Sequence, residues 1–222
     1  PIIVPKDIPA AKVLQEENIF VMNETRAMQQ DIRPLEIAIV NLMPTKIVTE
    51  TQLMRLLSNS PLQVNITLIA TESYVGKNTS LDHLQKFYKS FSEVKDRKFD
   101  GMIITGAPVE NIDFEEVKYW KELGEIFDYA KKSVTSTLFI CWGAQAALYY
   151  YYGIEKHKLD KKLFGVYKHK KLVNYERLLK GTDDRFFMPH SRHTTVYSED
   201  IKKCSEVVLI ASSKEAGPCI IR

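Results

Sequence analysis

The stretch Val134 to Tyr150, VTSTLFICWGAQAALYY, decides the fold. Val134 to Ile140 is a β-branched apolar run of strand length, and Ala144 to Tyr150 is helix-like. Between them stand only Cys141, Trp142 and Gly143, so the strand passes through a sharp turn straight into a helix. Upstream, Phe114, Val117, Trp120, Leu123, Phe127 and Ala130 mark one stripe of a long amphipathic helix. Before that helix, Phe99 to Thr105 (FDGMIIT) is another apolar strand, ending at Gly106. Ser80 caps an expected helix that buries Leu81, Leu84, Phe87, Tyr88 and Phe91. Leu62, Val64, Ile66 and Leu68 alternate as a strand does, and an expected helix before them carries Leu53, Leu56 and Leu57 on one face. Leu35 to Met43 (LEIAIVNLM), stopped by Pro44, reads as a strand buried on both faces in the middle of the sheet.

Strand and helix thus alternate repeatedly, and parallel neighbours need such crossovers. The expectation is an α/β fold, a mostly parallel doubly wound sheet with helices on both faces. The chain of 222 residues is read as a single domain. Residues 1–34 form an N-terminal arm in this reading, and residues 153–192, rich in Lys and aromatics, an active-site loop layer. Glu206 to Ser212 and Pro218 to Ile221 are two closing strands paired antiparallel. In such a sheet, ligands bind at the carboxyl edge.

Composition excludes several classes of function. Lys and Arg number 31 against 28 Asp and Glu, and a net charge of +3 gives no field suited to nucleic acid. The three cysteines, Cys141, Cys204 and Cys219, show neither disulfide spacing nor a zinc-ligand pattern, which points to a reducing compartment and no metal. The start of the sequence has no signal-peptide pattern, and no apolar run reaches bilayer length. The expected location is the cytoplasm.

Cys141 stands where a strand tip meets the first backbone N–H groups of a helix. There a thiolate is stabilised, and the thiolate is the nucleophilic form. Gly143 is expected to permit the tight turn, as the second Gly of a nucleophile elbow does, although Phe139 occupies the place of the first. The competing reading of Cys141 is a small buried hydrophobe. At the neighbouring strand end, the amide of Gly106, with that of Trp142 beside the nucleophile, can stabilise an oxyanion; an ordinary turn would look the same.

Six blocks, Glu17 to Met22 (ENIFVM), Asn41 to Pro44 (NLMP), Arg55 to Val64 (RLLSNSPLQV), Phe99 to Pro108 (FDGMIITGAP), Thr135 to Ala147 (TSTLFICWGAQAA) and Pro189 to Arg192 (PHSR), span the chain. In these the sequence resembles the homoserine O-acyltransferases of the homoserine O-succinyltransferase (transsuccinylase) type, enzymes of methionine biosynthesis. The resemblance implies a class I glutamine amidotransferase-like fold and a cysteine acyl-enzyme on Cys141. It places homoserine binding on Lys162 and Ser191 and acyl-donor selection on Glu110. In relatives, Gly at the position of Glu110 goes with succinyl-CoA and Glu with acetyl-CoA; a carboxylate there fills space and repels the free carboxylate of a succinyl group.

Acyl-CoA, with acetyl-CoA favoured, is then a co-substrate, no cofactor is permanently bound, and the partners are small molecules and a second copy of the chain in a homodimer. The other lysines between Lys156 and Lys171 face water or attract coenzyme A phosphates. Ser191 and Arg192 can bind the ends of homoserine, whereas His190 and His193 are structural or act as a base. In the family, a His and a Glu from a His-Pro-Glu stretch and a substrate-binding Arg lie beyond the position of Arg222, so that either the sequence is a piece of a longer chain or the proton-transfer half of the site is lost. The alternatives are a succinyl-CoA-dependent transferase, a glutamine amidotransferase and an inactive binding module.

Overall fold

The computed structural model of the chain describes residues 1–73 and 80–222. Its contacts divide it into two compact units, one comprising Pro1–Pro108 and Phe114–Ala144, the other Val109–Asp113 and Gln145–Arg222.

The first unit opens with β1 (Ile2–Ile3), α1 (Pro9–Glu16), β2 (Val21–Met22) and α2 (Glu24–Met28). Residues 1–34 are therefore more than an arm, because β1 and β2 extend the sheet, with β1 parallel to both its neighbours. What brings the chain back is the end of α1. Asn18 adopts φ 59°, its N–H donates to Gln15 O at 3.0 Å, and the Ile19 N–H donates to Leu14 O at 2.9 Å. This is the left-handed helix stop in which Asn replaces Gly, with Leu14 and Ile19 packing in one cluster. Glu17 beside it accepts two hydrogen bonds at 2.6 Å from the Arg55 guanidinium. Two of the sequence blocks, ENIFVM and RLLSNSPLQV, are thereby clamped together.

The remaining elements of this unit are β3 (Leu35–Val40), α3 (Lys46–Leu57), β4 (Val64–Ala70), α4 (Leu81–Phe87), β5 (Tyr88–Ser90), α5 (Phe91–Val94), β6 (Phe99–Ile104), α6 (Trp120–Ser133) and β7 (Val134–Phe139). The sheet runs β2-β1-β4-β3-β6-β7, with β5 pairing β4, and every described pairing is parallel. β3 lies between β4 and β6, as its unbroken apolar run requires, and Ala38, Ile39 and Val40 are fully buried. Full burial of a side chain such as Ile39 or Val40 contributes about 1.5–3 kcal/mol. β7, in contrast, pairs only with β6 among the described residues, and Leu138 is exposed.

Two helical expectations are corrected. The apolar set from Leu81 to Phe91 is not one helix: α4 ends at Phe87 and residues 88–90 become β5. The break is fixed by Ser90, whose N–H donates to Glu93 Oε2 at 2.7 Å in a capping box that starts α5, and by the buried Tyr88 hydroxyl, which donates to Glu50. In α3, Leu53 and Leu57 pack against the core as expected, but Leu56 points to solvent, and the buried residues are Lys46, Glu50, Thr51 and Met54. The hydrogen bonds of Lys46 to Asn41 O and of Glu50 with Tyr88 and His83 hold these polar groups inside.

The second unit follows from α7 (Trp142–Tyr152), whose first residues belong to the first unit. It contains β8 (His157–Lys171), β9 (Arg185–Thr195), α8 (Ser198–Lys203), β10 (Leu209–Ser213) and β11 (Gly217–Ile221). These strands form an antiparallel sheet in the order β11-β10-β8-β9. Residues 153–192 are thus mostly a long hairpin and not a layer of loops. Exposure alternates along most of β8, and its wet residues include Lys158, Lys162, Phe164, Val166 and Lys168. The closing pair β10 and β11 is antiparallel, as expected. Leu148, Ile154, Val196, Ile201, Val207 and Leu209 make the core on which α7, α8 and β10 meet.

Candidate functional site

β6 and β7 run side by side, with Ile104 paired to Phe139, and the next residues hold the candidate site. The Ile140 N–H donates to Ile104 O at 2.9 Å, so Gly106 and Cys141 come level one step beyond the ladder. Cys141 is exposed, with φ 54°, a left-handed conformation that a side chain adopts only under constraint. The strain lies on the cysteine and not, as the sequence suggested, on Gly143, which has no positive φ. Gly143 is needed for a different reason. A Cβ on it would meet Thr105 O at 2.6 Å and Ile104 O at 3.1 Å, so the start of α7 lies directly on the end of β6. At Gly106 a Cβ would come to 3.2 Å from Cys141 Cβ, a tight contact to which the cysteine would have to yield by a few tenths of an ångström.

The structure therefore brings Cys141, Gly106 and Trp142 together at the carboxyl edge of the sheet. Among the described residues, neither the Gly106 nor the Trp142 backbone N–H donates to a carbonyl of the surrounding turns. The Trp142 side chain is buried against Phe114 and Tyr119, with ring centroids 5.8 and 6.3 Å away. It fixes the first turn of α7 from below.

The same edge holds a group that periodicity did not reveal. Lys46, at the start of α3, is buried; its ammonium donates to Asn41 O and, at 3.4 Å, to Met43 O. Burial lowers its pKa to about 8, and the Glu50 carboxylate opposes that shift. Glu50, fully buried, accepts from Tyr88 and lies 3.0 Å from His83 Nε2, while Asn41 Nδ2 donates to Tyr88 at 2.8 Å. Desolvation and the neighbouring carboxylate push the Tyr88 phenol well above its ordinary value. The signal in the sequence was Lys46 and Glu50 four residues apart on a helix whose inner face should have been apolar.

Glu110, Lys162 and Ser191 all belong to the second unit. Lys162 and Ser191 meet on the β8–β9 hairpin: the Lys162 ammonium lies 5.4 Å from the Phe164 ring centroid, and Phe164 pairs directly with Ser191. Glu110 is half-buried in the segment Val109–Asp113, which is anchored by Lys156, whose Nζ donates to Glu110 O at 2.7 Å and to Ile112 O. Lys156 is thus not one of the water-facing lysines expected in that run, and desolvation lowers its pKa.

His190 is part of a stacked histidine pair, with Nε2 2.9 Å from His169 Nε2 and ring centroids 4.9 Å apart. His169 Nδ1 donates to Tyr167 O at 2.9 Å, so its Nε2 accepts and His190 Nε2 donates. Desolvation, then the charges of Arg192 and His169, lower the His190 pKa to about 4. Arg192 donates to Thr195 Oγ1 at 3.0 Å and to Ala216 O, which ties the end of β9 to the turn before β11. The described residues contain no group of three or more His, Cys, Asp or Glu able to hold a metal, and no helix among them is long and apolar enough to cross a membrane.

Solved structures with this architecture include a glutamine amidotransferase from Thermotoga maritima and the glutaminase domain of a Trypanosoma brucei CTPS. The first has a TM-score of 0.56 and 10% identity over 84% of this chain and 70% of its own. The second has a TM-score of 0.52 and 12% identity over 81% and 75%. At these identities the likeness establishes the fold alone. Sequence relatives are much nearer. A homoserine O-acetyltransferase of Methanomethylophilus alvi is 60% identical over all of this chain and 72% of its own length. One of Clostridium acetobutylicum is 59% identical over all of this chain and 73% of its length. Homoserine O-acetyltransferase 1 of Ilyobacter polytropus is 56% identical over the same shares. The match to the homoserine O-succinyltransferase family extends from residue 1 to residue 222, and with the strand-end cysteine in place, the chain belongs to that family.

Proposed function

We propose that the protein transfers an acetyl group from acetyl-CoA to the hydroxyl of L-homoserine, a step of methionine biosynthesis, through a thioester on Cys141. The observation that carries this reading is the exposed Cys141, held at φ 54° between the Gly106 turn and the start of α7. The sulfur anion attacks the thioester carbonyl, and the oxyanion that forms is received by the Gly106 and Trp142 amides. The bond to the coenzyme A sulfur then breaks, and coenzyme A leaves as the thiolate, which takes a proton from solvent. In the second half, the homoserine hydroxyl gives up its proton to solvent as it attacks the acyl carbon; the bond to Cys141 breaks, its sulfur anion is restored and the ester is released. Lys162 and Ser191 hold homoserine from their shared face of the hairpin. Glu110 selects acetyl over succinyl by charge and volume, and the relatives named as acetyltransferases support that choice. The working form is a cytoplasmic homodimer.

Mass spectrometry of the protein mixed with acetyl-CoA, before homoserine is added, tests the first half-reaction. One acetyl group is expected on the peptide containing Cys141, and it disappears when homoserine is supplied. A folded protein that acetylates homoserine while Cys141 stays unmodified, or while Cys141→Ala retains full rate, would falsify the covalent route. Release of ammonia from glutamine would instead favour an amidotransferase.

A further inference from the structure

Thr105, between the end of β6 and the Gly106 turn, is buried, and its two polar hydrogens go to different places. Its backbone N–H donates to Val40 O at 3.1 Å and so continues the pairing of β3 with β6. Its hydroxyl serves neither strand ladder. Oγ1 accepts from the Leu42 N–H at 2.8 Å and donates to Gly106 O at 3.0 Å. Because an amide N–H only donates and a carbonyl only accepts, the direction of both bonds is fixed. One hydroxyl thus ties the end of β3 to the turn after β6. On the far side of the Leu42 amide, the oxygen of the same peptide, Asn41 O, accepts from the buried Lys46 ammonium. A hydrogen-bonded chain therefore runs from a buried cation, through one peptide and one hydroxyl, to the Gly106 carbonyl, and the members of such a chain polarise one another.

The chain ends where rigidity is needed. Gly106 has no side chain to restrain it, and a glycine left to itself is free in both dihedrals. The peptide before it is confined because Thr105 O lies directly against Gly143 at the start of α7. The peptide after it is confined by the Thr105 hydroxyl. A donor aimed at a developing oxyanion is effective only if it is in place before the charge forms. We propose that Thr105 is a positioning residue of the acyl-transfer site: its hydroxyl, tied to the Leu42 N–H, fixes the Gly106 turn so that the Gly106 amide meets the oxyanion formed on the thioester carbonyl. This role rests on the acyl-transfer reading and adds to it a residue that acts through Gly106.

Two reactions of the same sulfur separate this role from a merely structural one. Acylation by acetyl-CoA, followed by rapid-quench mass spectrometry of the intact protein, passes through a tetrahedral oxyanion. Alkylation by iodoacetamide at the same pH does not, and reports only the exposure and ionisation of Cys141. Thr105→Val keeps the side-chain shape and removes the hydroxyl. It should lower the limiting acylation rate about 10-fold to 100-fold, with half-saturating acetyl-CoA and the alkylation rate each within about 3-fold of the wild type. Thr105→Ser, which restores the hydroxyl, should recover acylation to within about 3-fold. Where near-UV circular dichroism shows that the valine variant does not fold, Thr105→Ala takes its place. The proposal is overturned by wild-type acylation in the hydroxyl-free variant, by acylation and alkylation falling together, by a serine variant as slow as the valine one, or by loss of the fold in both hydroxyl-free variants. The wild type keeps two failures apart: no acetyl group on its Cys141 defeats the acyl-transfer reading and this role with it, whereas equal acylation of wild type and Thr105→Val defeats the role of Thr105 alone.

Discussion

Cys141 is one of three non-glycine residues with positive φ among the described residues, and two rigid contacts hold it there. One is the Ile140 N–H to Ile104 O bond, and the other is the contact between Gly143 and the end of β6. Since the atoms that a Cβ on Gly143 would strike are backbone oxygens, they can yield only by moving β6 or α7. Gly143→Ala is therefore expected to destabilise the fold by about 1–3 kcal/mol, roughly 2–4 °C in Tm per kcal/mol, and to lower the acylation rate of Cys141 much more. Thermal unfolding alongside stopped-flow acylation measures both, and a variant with wild-type values in both would remove this account. At the other end of the scale of reactivity, burial pushes the Cys219 thiol up to about 12, so it stays protonated where Cys141 is proposed to react.

His190 is a second residue whose neighbours dictate its behaviour. Its folded pKa of about 4 lies below the ordinary 6.5, so between these values the unfolded chain binds a proton that the folded chain does not. The contribution is fully present above pH 6.5 and is lost as pH falls towards 4. Tm measured across that window should fall in the wild type and fall less steeply in His190→Gln; parallel curves would mean that the histidine pair has no such role.

At the scale of elements, the segment Val109–Asp113 shows how a flexible-looking stretch is given a fixed shape. Lys156, from the start of the hairpin region, donates to two of its carbonyls, and this anchor orients the backbone that carries Glu110. If Glu110 excludes the succinyl carboxylate, Glu110→Gly should raise the ratio of succinyl to acetyl transfer about tenfold or more, read from initial rates with the two donors. An unchanged ratio would take donor selection away from this residue. The hairpin itself was hidden in the sequence by its lysines. Six lysines among the fifteen residues of His157–Lys171 read as loop when charge is counted, whereas in the structure exposure alternates along most of the run as in a strand. The helix that broke at Phe87 failed for a comparable reason, because a Ser-x-x-Glu box and one buried tyrosine hydroxyl outweighed the apolar spacing.

Across the whole molecule, stability is expected to be uneven. β3 and β4 each have neighbours on both sides and are largely buried, whereas β7 has one neighbour and largely exposed side chains among the described residues. Amide hydrogen exchange should be slowest in β3 and β4 and faster in β7, although β7 leads into Cys141. Equal protection in the three strands would contradict this order. Paired carboxylates and guanidiniums on the surface, such as Glu17 with Arg55, add little to the stability of the fold.

The alternation of apolar runs with amphipathic ones, and Cys141 at a strand end, were determined by the sequence alone, because the period of side chains along a strand or helix is a local property. So was the set of blocks that marks the family. Only the tertiary structure decided that Lys46, Glu50, Tyr88 and His83 form one buried cluster, that the first residues join the sheet, and that the strain at the turn rests on Cys141. Those outcomes depend on which distant backbones touch, and a contact such as Gly143 on Thr105 is a property of two strands and a helix that no single stretch of residues contains.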